Sequence, residues 1–269
     1  LSPSSTQEVD MLSSQTLIDF VNFGKSNYPA DYYAVVFWGH GDGWKNNSTK
    51  GFDQEYNPSG SLMTNEQMAV ALQNKGISII GFDACLQGTM ETLWAFQKYN
   101  SADYLVASPD EIPGNGWNYA LFLSYFTENS FRRPYDFGTQ AVLAYKQNYS
   151  KKTGTSLAFY DIQALRNKFS ILTSFFFWAN NNKLTEQTIL SNSFANLSYG
   201  RFADLRYYAS LSAYNLKAEV LNFLDEMIIF SWKQELGNTK ILGISASDYG
   251  GAAIPFNSDN TFWEQFVTP

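Results

Sequence analysis

The chain has 269 residues, 45% of them hydrophobic and 17% aromatic against 16% charged. That balance supplies a large core and excludes a disordered chain, which is poor in aromatics and dense in charge. A net charge of −7 argues against a general nucleic-acid binder, whose surface must neutralise phosphates, and is compatible with a basic peptide partner.

In chain order, the first 14 residues are polar. Apolar positions spaced for one helix face run from Thr16 to Phe23, and Pro29 and Asp31 break the pattern. Tyr33–Trp38 is a continuous apolar run that reads as a strand buried on both faces, as in a parallel sheet. Glycines mark the loop Gly39–Trp44, and 45–61 is polar and rich in Asn, Ser and Gly. Thr64 followed by Gln67 is a capping-box start for a helix to about Asn74, which Gly76 stops. A second buried strand, Ile77–Phe82, leads to Asp83-Ala84-Cys85, and a helix follows through Met90–Phe96. Tyr104–Ser108 is a third strand, entering the loop Pro109–Trp117. Beyond it, 118–150 reads as helical, Ser156–Tyr160 as a strand, 162–182 and 204–233 as long helices, and Ile241–Ala246 as a last strand.

This alternation predicts an α/β fold with a mostly parallel sheet flanked by helices. It reads as a single domain over 1–269, with a catalytic core at about 8–130 and a helical elaboration at about 131–240. No apolar run approaches the roughly 18 residues of a membrane-spanning helix. One cysteine makes no internal disulfide, so the redox compartment stays open. Leu1-Ser2-Pro3-Ser4-Ser5 carries neither an initiator methionine nor the pattern of a signal peptide, so a trimmed or processed start is expected.

Active groups in open α/β sheets gather at the carboxyl ends of strands. The only histidine, His40, and the only cysteine, Cys85, both fall there, each just after a buried strand. A thiol is a strong nucleophile as its thiolate, and an adjacent imidazole can take the proton. Singly, a cysteine after a strand is more often a small buried hydrophobe, and a loop histidine is more often structural. Their matched positions favour catalysis. The N–H groups of Gly41 and Cys85 are the candidate oxyanion donors.

Phe37-Trp38-Gly39-His40-Gly41-Asp42-Gly43-Trp44 resembles the W-x-H-G-x-G-W signature of the clostripain family of cysteine peptidases. Gly81–Glu91 is similar to its D-A-C-x-x-x-x-x-E segment, and Ala107–Trp117 to its P-G-x-G-W loop. The likeness is specific from about residue 8 to 123 and thinner beyond. It implies a caspase-like fold and an endopeptidase with a Cys–His dyad, His40 and Cys85, cleaving after Arg or Lys. Asp83 becomes the residue that grips a basic P1 side chain, with Asp110 and Glu111 as further pocket carboxylates and Trp117, beside Trp44, as a wall of the cleft. Asn115 stands where many relatives carry an acid, which weakens the expected basic preference. Each acid also has a plainer reading, Asp83 as a helix cap and Asp110 and Glu111 as solvated charges.

The resemblance implies no cofactor, allows calcium without an assignable site, and points to a secreted or bacterial cell-surface protein. Its partner would be a peptide or protein substrate, with neither nucleic acid nor a membrane span. Relatives carry two strands ahead of Glu8–Met11, so a second chain from the same precursor is expected to complete the sheet. Lys45 and Lys50 are the candidate processing points. The competing reading is a catalytically silent peptide-binding module on the same fold, and a carbohydrate-binding protein is a weaker third.

Overall fold

The sequence places its β-branched and aromatic residues in short runs between amphipathic stretches, and in the computed structural model most of those runs become a central sheet between helical layers. The structure describes residues 9–41, 43, 63–128, 133–182, 196–197, 202–234, 237–238 and 240–245. Helix α1 (Ser14–Asn27) precedes β1 (Ala34–Trp38); α2 (Asn65–Ala71), β2 (Ile79–Asp83), α3 (Met90–Lys98) and β3 (Tyr104–Ala107) follow. Next come α4 (Tyr119–Glu128), α5 (Pro134–Tyr149), β4 (Ser156–Asp161), α6 (Ile162–Asn181), β5 (Asn196–Leu197) and β6 (Phe202–Asp204). The described chain closes with α7 (Leu205–Leu211), α8 (Lys217–Met227), β7 (Ile228–Lys233), β8 (Gly237–Asn238) and β9 (Gly243–Ser245).

The main sheet has the order β1-β2-β3-β4-β7-β8, and β5, β6 and β9 form a small antiparallel sheet. β1, β2 and β3 are parallel, and β4, β7 and β8 join antiparallel in turn. Strands β1, β2, β3 and β7 therefore share one direction. Every residue of β2 is buried, as expected for a strand covered on both faces. Ile80 and Phe82 point into a core with Phe37 and Phe96, where the Phe82 ring lies 5.3 Å from Phe37 and 5.6 Å from Phe96. Ile79 faces the opposite core, with Trp117, Phe122 and Val142.

The capping box at Thr64 forms as expected: its hydroxyl accepts from the Gln67 N–H at 3.0 Å, and the Gln67 side chain accepts from the Thr64 N–H at 2.8 Å. The long helix expected over 204–233 does not form. Two shorter helices occupy its first part, and Ile228–Lys233 is strand β7, paired with β4. Ile228, Ile229, Phe230 and Trp232 are β-branched or aromatic residues that suit a pleated surface better than a helix interior. The region after 131 thus adds strands to the central sheet as well as helices around it. Among the described residues β1 has a strand neighbour on one side only, and Trp38 at that edge is 62% exposed.

Candidate active site

β1 and β2 stay in register to their last residues, Trp38 opposite Asp83. His40 and Cys85 each lie two residues beyond that pair, so their loops leave the sheet as neighbours. The Gly39 N–H donates to the Asp83 carbonyl at 3.3 Å. Gly41 then rests on the main chain of Cys85. A Cβ there would run into the Cys85 carbonyl oxygen and lie 3.1 Å from its carbonyl carbon and its nitrogen, so no other residue fits without moving one loop. His40 is exposed and Cys85 half-buried.

Residues Leu86–Thr89 separate Cys85 from the start of α3, so the cysteine loop is not itself a helix terminus. It is held by the loop after β3. The Leu86 N–H donates to the Asp110 carbonyl at 3.1 Å and the Gly88 N–H to the Ser108 carbonyl at 2.8 Å. The Ile112 N–H donates to Cys85 Sγ at 3.2 Å, and Sγ lies 3.7 Å from the Ile112 carbonyl oxygen. The backbone donor on the sulfur favours the thiolate, and the more distant carbonyl acceptor favours the thiol.

Asp83 is 2% exposed. Its Oδ2 accepts from the Trp117 N–H and the Tyr119 hydroxyl, each at 2.9 Å. Its Oδ1 is buried and has no hydrogen-bond partner among the described residues. Burial pushes this carboxyl above the usual carboxylate range, and the two hydrogen bonds pull it partly back. The loop before Trp117 wraps it closely. Gly116 has φ +62°, and a Cβ there would approach Asp83 Oδ2 to 2.5 Å. The Tyr149 hydroxyl fixes that loop by donating to the Gly116 carbonyl at 2.7 Å. On α5 the buried Tyr145 hydroxyl has no hydrogen-bond partner among the described residues. Burial pushes it up, and the charges of Tyr149, Asp110, Asp83 and Cys85 add to the effect.

Two of the expected pocket residues, Trp117 and Asp110, are engaged within the chain. Trp117 is 4% exposed, and its ring fills the space beside Gly81, 3.0 Å from where a Cβ would be. It is core beneath the site rather than a cleft wall, and its main chain is what touches Asp83. Asp110 is buried, and its Oδ2 accepts from Lys233 Nζ and Ser156 Oγ, each at 2.7 Å. Its charge is met from within the chain, which removes the reason to assign it to a substrate cation. Glu111 is exposed beside Ile112. Asp42, Trp44, Lys45 and Lys50 lie outside the described residues. Ile112, Ser156 and Lys233 also hold the site, and no local signal in the sequence marks them. The first acts through its main chain, and the others reach the loop because β4 pairs with β3 and β7 with β4.

Residues 2–239 match the clostripain family of peptidases. The chain belongs to that family. It is 30% identical to clostripain of Hathewaya histolytica over 44% of this chain, and it spans 25% of that relative's length. A secreted C11 cysteine protease of Bacteroides thetaiotaomicron has the same fold at a TM-score of 0.67 and 19% identity, covering 96% of this chain and 77% of that one. An inactive C11 protease zymogen of Parabacteroides distasonis matches at a TM-score of 0.62 and 19% identity, over 92% of this chain and 73% of that one. A Bacteroides thetaiotaomicron C11 protease in complex with an irreversible peptide inhibitor matches at 0.60 and 20% identity, over 95% and 74%.

Proposed function

We propose that the chain is a cysteine endopeptidase that cleaves after Arg or Lys, with Cys85 as nucleophile and His40 as acid–base partner. The observation that carries this reading is the seating of Gly41 on Cys85 at the ends of two register-matched strands. Adjacent strands lie about 4.8 Å apart, which puts the imidazole-bearing residue on the loop next to the thiol.

In this mechanism His40 takes the Cys85 proton and Sγ attacks the scissile carbonyl. The oxygen of the tetrahedral intermediate is met by the N–H groups of Cys85 and Gly41. Collapse breaks the C–N bond as His40 protonates the leaving amine, giving a thioester on Cys85. Water, deprotonated by His40, attacks that thioester and releases the acid product with Sγ restored. Asp83 is the P1 anchor. Its buried Oδ1 leaves an acceptor position for a guanidinium or ammonium group, and a cation there would offset the burial that raises its pKa.

Secretion, as in the Bacteroides thetaiotaomicron relative, is the compartment we infer. Among the described residues the outer edge of β1 has no strand neighbour, which supports its pairing with strands from a second chain of the same precursor. Among the described residues no group of three or more His, Cys, Asp or Glu is placed to hold a metal ion.

The test is covalent labelling. An arginyl chloromethylketone should modify Cys85 in a 1:1 ratio and abolish peptide hydrolysis, and excess Arg substrate should slow the labelling. Stoichiometric absence of label on a folded protein, with peptide bound but not cleaved, would favour the silent peptide-binding module.

A further inference from the structure

Asp110 lies where the antiparallel half of the sheet meets the nucleophile loop. Ser156 on β4 and Lys233 on β7 are cross-strand register partners, and both present their side chains to Asp110 Oδ2 at 2.7 Å. Their environment is nearly dry, with side chains 15% exposed for Lys233 and 5% for Asp110. Ser108 Oγ completes the knot, accepting from the Asp110 N–H at 3.0 Å and lying 3.2 Å from Ser156 Oγ. The same stretch of backbone, 108–112, makes the three contacts that hold 85–88: to Leu86, to Gly88 and, through Ile112, to the Cys85 sulfur. Leu86 needs such support. Its φ is +64°, a left-handed conformation that a residue with a Cβ keeps only when its surroundings impose it.

We infer that the Asp110–Lys233 ion pair is a positioning device for the nucleophile: it locks segment 108–112 so that the Ile112 N–H is held on Cys85 Sγ. The inference rests on the assignment of Cys85 as nucleophile. Asp110 and Lys233 touch neither substrate nor sulfur with their side chains, so they are positioning residues. Of the two Ile112 groups on the sulfur the N–H is the nearer, at 3.2 Å against 3.7 Å for the carbonyl oxygen. A hydrogen bond to sulfur is worth more to the thiolate than to the thiol, so the pair promotes ionisation of Cys85 from 123 residues away in sequence. A lost partner leaves a buried uncompensated charge, and segment 108–112 would rearrange to solvate it.

Cys85 is the only cysteine of the chain, so the pH dependence of iodoacetamide alkylation reads its ionisation with no substrate present. Among the described residues, the titratable or charged groups on the elements around it are His40, Asp83, Glu91, Asp110, Glu111, Tyr119, Tyr145, Tyr149 and Lys233. Lys233→Met should move the alkylation midpoint upward by about one pH unit. It should also lower kcat by about 10- to 100-fold, with KM for an Arg peptide nearly unchanged. Lys233→Arg should restore most of both. Ser156→Ala, which removes one hydrogen bond and no charge, should shift the midpoint in the same direction by less. Asp110→Asn with Lys233→Met should be no worse than Lys233→Met alone, because no unpaired charge remains. If Lys233→Met does not fold, the Ser156→Ala and double variants carry the test.

An unmoved alkylation midpoint in folded variants would overturn the inference, and so would a loss confined to KM, which would return Asp110 to the substrate pocket. The failure of the underlying reading looks different: Cys85→Ala would keep its activity whatever the alkylation profile.

Discussion

Gly41 and Cys85 touch through their main chains, the α-carbon of one against the peptide of the other. The contact joins the loop after β1 to the loop after β2 where their strand ladder ends. It makes the spacing of the histidine loop and the cysteine loop a property of backbone packing, independent of either side chain.

Gly41→Ala should therefore impair catalysis without unfolding the protein. The added methyl cannot coexist with the Cys85 carbonyl, so one loop must shift, and a displacement near 1 Å at reacting groups costs about 100-fold. Steady-state kinetics beside a thermal melt checks it: kcat/KM should fall by about that factor with little change in Tm. Near wild-type kcat/KM would show that the contact is not needed.

Asp83→Asn keeps the shape of the side chain and its capacity to accept from the Trp117 N–H and the Tyr119 hydroxyl. It removes the charge proposed to hold a basic P1 side chain. For Arg and Lys peptides kcat/KM should drop by about 100-fold or more, as for a lost charge-assisted contact, while peptides with neutral P1 residues change little. A wild-type library preference for acidic or small apolar P1 residues would refute the assignment.

The strand ends carrying His40 and Cys85 were legible because parallel buried strands read as continuous apolar runs and the glycines around His40 mark a loop. The capping box at Thr64 was legible because its two interactions are local in sequence. What stayed hidden depends on distant pairing. Ile228–Lys233 reads as helix because its apolar residues follow a long helical stretch, and only its register with β4 makes it a strand. Asp110 read as a pocket carboxylate because its neutralising partner stands on that same strand. Trp117 read as a cleft wall because nothing local shows that Gly81 leaves a hollow for its ring.

Asp204, buried at the start of α7, gives a pH signature. Burial raises its carboxyl to about 7, against hydrogen bonds from the Tyr207 and Arg206 backbones and the Arg206 charge, which lower it. The folded pKa lies above the unfolded value of about 3.9, so the folded state holds the extra proton. Its contribution is fully present below pH 3.9 and is lost as pH rises toward 7. Asp204→Asn can still accept the Tyr207 N–H and does not titrate. In urea unfolding from pH 4 to 8, wild-type stability should fall relative to Asp204→Asn as pH rises. A parallel pair of curves would show that the carboxyl ionises alike in both states.

The dyad is tested most directly by the kinetics of Cys85→Ala, His40→Ala and the double variant on one Arg-P1 peptide. Groups that act as a unit are strongly non-additive. Each single variant should lose at least about 1,000-fold in kcat, and the double should be little worse than either. Retention of more than a few per cent of wild-type kcat by Cys85→Ala, or losses that multiply in the double, would contradict the account.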